Sequence, residues 1–313
     1  MLSRIAESLF WMNRYVERAE GMLRMLKINY ITSLDRSEHD ERYNWSPVLK
    51  TFTSLSNDDI EKMKNDTQAT LHYILTNKSN INSIRTIITR ARENARGIQD
   101  HITKEVWESI NKYYQKINGK KIEELLDNGE QLYAITSLID ESLYFYGVAE
   151  VTMPRGEGWN FMNIGKFIER TKQTSDILDI KFSGINYDLN NPMDIPYWKN
   201  LLLSVSGYEY YMKTYHTGLQ TQNVLDMIVM NTNFPRSILY SVKKISHVME
   251  KIAASETDAD LMLEKSIGRL RSRIEYSDLD TIAQIGLHNF LQEIVSDVAN
   301  FSNKLSQAYF AYQ

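Results

Sequence analysis

Turn-forming residues are too scarce in this chain for any architecture built on many tight connections. It has 13 glycines and 5 prolines in 313 residues, about half of the roughly 12% that these two types make up in ordinary proteins. Sandwiches, propellers, collagen and low-complexity disorder all need more. What remains is long helices, and both ends of the chain carry the helical period. Ile5, Leu9, Met12, Val16, Ala19, Leu23, Leu26 and Tyr30 recur at steps of four and three, which is one face of a helix from near Ser3 to about Leu34. Leu287, Leu291, Ile294, Val298, Phe301, Leu305 and Ala308 repeat the pattern at the other end. The spacing predicts an all-α helical bundle, and 42% hydrophobic residues suffice for a sizeable core.

Between the two ends, helix start and stop chemistry marks breaks at Ser46-Pro47, Ser56 before Asp58-Asp59, Asn128-Gly129, Asn191-Pro192 with Asp194 ahead of Pro196, and Thr257 before Asp258. Asp35 to Asn44 is a charge-dense loop or frayed helix end and not a domain boundary. The segments also repeat. Arg14-Tyr-Val-Glu-Arg18 and Lys166-Phe-Ile-Glu-Arg170 match at an offset of 152. Trp45 and Trp198, at an offset of 153, each open a short helix, and Arg85 and Arg236, at an offset of 151, each precede a long one. Three landmarks in one order predict two copies of a helical unit, 1–150 and 151–313, packed with pseudo-twofold symmetry as one composite domain.

Composition excludes several functions. Lys plus Arg number 36 against 40 Asp plus Glu, a net charge of −4, so no global positive field holds a nucleic acid. With no cysteine there is no disulfide, thiolate metal site, iron–sulfur cluster or thiol nucleophile. No histidine has an acid three residues ahead of it, so the ligand pairs of di-iron bundles are absent. His-Glu-x-x-His, Gly-x-Ser-x-Gly and Walker-type loops are missing too, and neither a metal nor a cofactor is expected. Arg4 and Glu7 interrupt the N-terminal apolar pattern, and no apolar run approaches the roughly 18 residues of a membrane span. The expectation is a cytoplasmic protein with no membrane partner.

The charges of the repeated segment are the candidate site. Arg18 shares a stripe with Trp11, Tyr15, Met22 and Met25, and Arg170 lies beside Ile164, Phe167 and Leu178. A guanidinium in such surroundings needs a carboxylate, a carbonyl or a ligand. Glu17 and Glu169 each precede their arginine by one position and so point about 100° away from it. Across a pseudo-twofold axis, Glu17 is expected to reach Arg170 and Glu169 to reach Arg18. The cluster is either a structural network or a binding site for a charged small molecule or peptide, to which a planar guanidinium is suited. Arg85, Arg92 and Arg96 share one helix face, with Arg236, Lys243 and His247 as their expected counterparts. This stripe is either an anion-binding surface or a solvated face balanced by Glu93 and Asp100. The connector Thr152 to Trp159, with Gly156 and Gly158, reads as a turn that places Arg155 and Trp159 near the second Glu-Arg pair.

Ser3 to Glu20 (SRIAESLFWMNRYVERAE), Ala91 to Arg96 (ARENAR), Thr152 to Trp159 (TMPRGEGW) and Gly165 to Arg170 (GKFIER) together resemble the bacterial Alpha-E family over essentially the whole chain. The resemblance implies an all-helical protein of a predicted peptide or amide ligation system. Its implied partner is a circularly permuted ATP-grasp protein, with a transglutaminase-like protein as a second. The motif carries over to Arg14, Glu17, Arg18 and Glu20 and to Glu169 and Arg170. This chain departs from the pattern at Asn13, where glycine is usual, at Lys166, where arginine is usual, and at Lys172, where an acid follows the second pair. A non-catalytic accessory role is the expectation. The alternatives are an enzyme with Glu17 or Glu169 as general base, and a pure scaffold.

Overall fold

The computed structural model describes residues 2–34, 44–190, 195–253 and 257–310. The expected loop at Asp35 to Asn44, apart from Asn44, and the break at Asn191-Pro192 and Asp194 lie outside these residues. Sixteen α-helices and one 3-10 turn, Gln99–His101, make up the described chain, with no strand among the described residues. The all-helical expectation holds. Helix α1 runs Ser3–Leu34, as the period requires, and all eight residues of its predicted stripe are buried. The chain divides into two compact units, Tyr15–Pro154 and a larger one of Met1–Arg14 with Arg155–Gln313. The larger unit thus takes the first turns of α1.

In the smaller unit the remainder of α1 is followed by α2 (Ser46–Phe52), α3 (Asn57–Met63), α4 (Thr67–Leu75), α5 (Ile84–Arg96), α6 (Lys104–Asn118), α7 (Lys120–Asp127) and α8 (Gln131–Thr152). Helix α3 starts at the expected Ser56, whose hydroxyl accepts from the Asp59 amide. The structure adds two caps beyond those expected from the sequence, Asp66 at α4 and Thr103 at α6. Gly129 takes φ +83° in the turn between α7 and α8, a conformation that side chains with a Cβ disfavour. Helix α6 packs against α5 and α8. Tyr30 Oη donates to Gln131 Oε1 at 3.1 Å, which ties α1 to the start of α8.

The larger unit contains α9 (Glu157–Ser183), α10 (Ile195–Ser204), α11 (Tyr208–Tyr215), α12 (Thr221–Met230), α13 (Ile238–Ile252), α14 (Asp258–Glu275), α15 (Leu279–Ile285) and α16 (Leu287–Tyr309). Thr257 and Asp260 form a reciprocal capping box at α14. Helices α9, α13, α14 and α16 close a ring in which each packs on the next and α16 returns to α9. Helix α9 buries most of its residues for this reason. Trp198 does not open its helix; it lies inside α10, fully buried against Phe182 with ring centroids 5.1 Å apart.

Near the end of α9, burial pushes the Lys181 amine down to about 8, with its Nζ 5.3 Å from the Tyr197 ring centroid. An unfolded lysine titrates near 10.4. Between those values the unfolded chain holds a proton that the folded chain has lost, so the folded state gains stability as pH rises through this window. Below it, the buried charge is a burden on the fold. Lys181→Met is therefore expected to raise the unfolding free energy by about 1–2 kcal/mol at pH 7, a value discounted for the partial solvent access of the side chain. The gain should vanish above about pH 10.4. Urea unfolding at both pH values checks this, and an equal gain at each would assign the effect to packing.

Candidate functional site

In the larger unit the start of α1 lies directly on α9. At Gly165 an added Cβ would sit 2.3 Å from the Phe10 carbonyl oxygen, so only glycine allows this approach. One turn along, Asn13 Nδ2 donates to the Met162 carbonyl at 2.7 Å, while its Oδ1 is buried and takes no hydrogen bond among the described residues. The crossing delivers Arg14 to Glu169. Arg14 Nε donates to Glu169 Oε2 at 2.7 Å and Nη1 donates to Ser302 Oγ of α16 at 3.2 Å. The guanidinium lies 4.8 Å from the Trp11 ring centroid and 5.6 Å from that of Phe10. Glu169 is 2% exposed, so the pair acts in a poorly solvated setting where charge-assisted hydrogen bonds are strong.

Arg170 is buried over Phe167, and its Nη1 donates to the Pro235 carbonyl at 3.1 Å. Thr174 donates to the neighbouring Arg236 carbonyl at 3.3 Å, so α9 grips the turn ahead of α13 twice. Arg155 is exposed and stacks on Trp159, 3.9 Å from its centroid. Trp159 precedes Glu169 by ten helical positions, about 15 Å along the axis. The connector therefore does not bring Arg155 to the second Glu-Arg pair, because a straight helix separates them.

In the smaller unit Glu17 and Glu20 are fully buried on α1. Tyr146 Oη, from α8, donates to Glu17 at 2.6 Å, and Arg24, one turn along, pairs with Glu20. Arg18 is half-buried, with its guanidinium 5.8 Å from the Tyr15 centroid. Residues that the sequence reading did not single out join the same interior. Glu141 of α8 is buried and pairs with Lys116 at 2.7 Å and Lys112 at 3.3 Å. Tyr113 of α6 is fully buried and accepts from Ser142 at 3.1 Å. Burial, and after it the nearby charges of Glu20 and Glu141, push the Tyr113 phenol well above its ordinary range. One signal for Glu141 was available: it shares a stripe with Leu138, Ser142 and Phe145, so burial of its carboxylate follows from helical spacing.

Two members of the basic stripe are turned to internal use. Arg85 is buried; it donates to the Ile117 carbonyl at the end of α6 and pairs with Glu123 at 2.8 Å. Arg92 donates to Asn111 at 2.9 Å, pairs with Glu93 and lies over Tyr114 and Trp107. Only Arg96, 62% exposed and 3.4 Å from Glu93, stands at the surface. The expected recurrence of the stripe also fails in register. Ser83 and Ser237 are the N-caps of α5 and α13, so Arg85 is second in its helix whereas Arg236 precedes its cap. Helix register sets Arg85, Arg92 and Arg96 against Leu239, Ser246 and Glu250 instead. The offset read from sequence slipped because it aligned arginines rather than caps.

Among the described residues no group of three or more His, Asp or Glu is placed to hold a metal ion. No helix there is long and apolar enough to cross a membrane.

Comparison with known proteins agrees with the motif. An uncharacterized protein of Mycobacterium bovis is 22% identical over 319 residues, which cover 94% of this chain and 35% of the relative. Uncharacterized proteins of two Mycobacterium tuberculosis strains match to the same extent. The chain thus spans about a third of the length of these curated relatives. No solved structure matches it. The family model described as a predicted alpha-helical domain with a conserved ER motif matches residues 1–310. With its Glu-Arg pairs on the two longest helices, inside a match that covers nearly every residue, the chain belongs to the Alpha-E family.

Proposed function

We propose that the chain is a non-catalytic accessory protein of an ATP-grasp peptide or amide ligation system, and that its Glu-Arg motif residues bind a charged ligand or the ligase itself. The single observation that carries this reading is how the motif charges are layered. The carboxylates of Glu17, Glu20 and Glu169 are buried, and Glu20 and Glu169 each hold an arginine, Arg24 and Arg14, that is nearer the surface. Buried ion pairs add little stability over apolar side chains of the same size. A chain that concentrates them in one repeated motif uses them to orient guanidinium groups, and guanidinium suits carboxylate or phosphate. Arg14 and Arg155 in the larger unit and, separately, Arg18 in the smaller one are the groups offered to a ligand or partner.

The same burial argues against the enzyme alternative. A general base must come within hydrogen-bond reach of its substrate, and Glu17 is enclosed with Tyr146 donating to it. A transglutaminase-like protein is a second candidate partner, and a cytoplasmic location fits this role.

We also infer that the chain is two copies of one helical unit, 1–150 and 151–313, forming one composite domain. Equivalent positions exchange roles where α1 meets α9. Phe10 meets Gly165, and Met162, which corresponds to Phe10, meets Asn13, which corresponds to Gly165. That reciprocity is what a pseudo-twofold relation between two copies of the segment produces.

Glu17→Gln keeps an acceptor for Tyr146 and removes the charge. It is expected to shift the melting temperature by less than about 3 °C while abolishing co-purification with the ATP-grasp partner. Unfolding of the variant, or unchanged capture, removes the binding reading in favour of the scaffold. Turnover by the purified chain without a partner overturns the accessory role.

A further inference from the structure

The face between α14 and α16 in the larger unit carries a groove that none of the motif residues enters. It has a volume of about 530 Å³ and is lined by Met262, Lys265, Ser266, Arg269 and Arg273 on α14 and by Asp297, Asn300 and Lys304 on α16. Arg273 is neutralised within the chain by Asp297 at 2.8 Å and Glu293 at 3.1 Å. Lys265, Arg269 and Lys304 are exposed, and among the described residues no acid pairs with them. Three uncompensated cations in one groove are notable in a chain whose net charge is −4. At the Met262 end the groove runs into a mainly apolar hollow of about 210 Å³, lined by Ala259, Met262, Leu263 and Ala308 with Lys304 and Gln307 at its side. Met262 itself is 59% exposed and continues the apolar lining of the hollow to the surface.

We propose that this groove binds an extended acidic peptide segment of a partner protein, with an apolar residue of the segment seated in the hollow. Spacing and charge select this occupant. Lys265 and Arg269 are four residues apart on α14, so their rise is about 6 Å. Alternate residues of an extended chain are about 6.6 Å apart on one face. Acidic side chains at positions i and i+2 therefore meet the two cations in turn, with Lys304 flanking from α16. The hollow is lined on α14 from Ala259 to Leu263, with its midpoint four residues before Lys265, about 6 Å along the axis, which puts an apolar residue two positions before the first acid over the hollow. The pattern read by the groove is apolar–x–acidic–x–acidic. A free inorganic anion would satisfy the cations and leave the hollow unused. The inference does not rest on the Glu-Arg motif and stands whether or not the ATP-grasp reading does.

The test is fluorescence polarisation of the full chain with a labelled Leu-Ala-Glu-Ala-Glu peptide at low salt, beside the reversed sequence and an Ala-Ala-Glu-Ala-Glu control. The expected result is saturable binding of the leucine peptide that weakens as salt rises. The double variant Lys265→Glu/Arg269→Glu, in exposed positions, should weaken it at least tenfold with an unchanged circular dichroism spectrum. Met262→Ser, which removes the apolar contact without adding charge, should weaken the leucine peptide and leave the alanine control unaffected. Equal binding of leucine and alanine peptides, displacement by inorganic phosphate at the same concentration as by peptide, preference for an oligouridylate, or indifference to the double variant would each overturn the proposal.

Discussion

Gly165→Ala is expected to destabilise the larger unit by about 3 kcal/mol or more, although alanine is the better helix former by about 1 kcal/mol. The added Cβ would meet the Phe10 carbonyl oxygen at 2.3 Å, with the Phe10 carbonyl carbon at 3.1 Å and its Cα at 3.3 Å. All three are backbone atoms of a helix, so no side chain can swing aside to make room. The only relief is to move α1 off α9, which strains the 2.7 Å bond from Asn13 to Met162 and the 2.7 Å pair of Arg14 with Glu169. Gly268→Ala supplies the control. Gly268 lies inside α14 with nothing within 4 Å of the added Cβ, so the same substitution should gain about 0.5–1 kcal/mol. Urea unfolding of the two variants beside the parent chain separates them. If Gly165→Ala is as stable as Gly268→Ala, α1 does not pack on α9 at backbone contact.

What was legible in the sequence is what short-range physics decides. The limits of α1 at Ser3 and Leu34 follow from an apolar period that needs no knowledge of the partner helix. Ser56 and Thr257 were readable as caps because a hydroxyl bonds an amide only three positions away. The family resemblance was legible for a related reason, since the motif is a contiguous string. The pairing of Arg14 with Glu169 was not: the α1 and α9 crossing brings the two together, and a crossing point is set by packing between elements far apart in the chain. Gly165 marks that crossing, yet a glycine inside a helical pattern looks like a mere loss of propensity. Arg85 failed in another way. Its apolar neighbours were visible, but not the free carbonyl of Ile117 at the end of α6, which it satisfies in place of an external anion.

Glu169→Leu is expected to cost about 3–5 kcal/mol, because it leaves the Arg14 guanidinium, whose side chain is only 12% exposed, without its carboxylate. Serine alone is a poor substitute: Ser302 offers a neutral oxygen at 3.2 Å. Glu169→Gln keeps an acceptor facing Nε and should lose only about 1–2 kcal/mol, the difference between a charge-assisted and a neutral hydrogen bond. The decisive comparison is the double variant Arg14→Met/Glu169→Leu. Methionine preserves the contacts with the Phe10 and Trp11 rings, and with both charges gone neither partner is buried unpaired. The double variant should therefore be more stable than Glu169→Leu alone, by about 2 kcal/mol or more in a urea-unfolding cycle. Simple additivity of the two single changes would mean that the pair is not coupled. Strong coupling with recovered stability would show that apolar side chains can do the structural work of the pair. Any loss of partner capture in that stable double variant would then fall on recognition by Arg14 and not on the fold, which is the separation that the accessory reading requires.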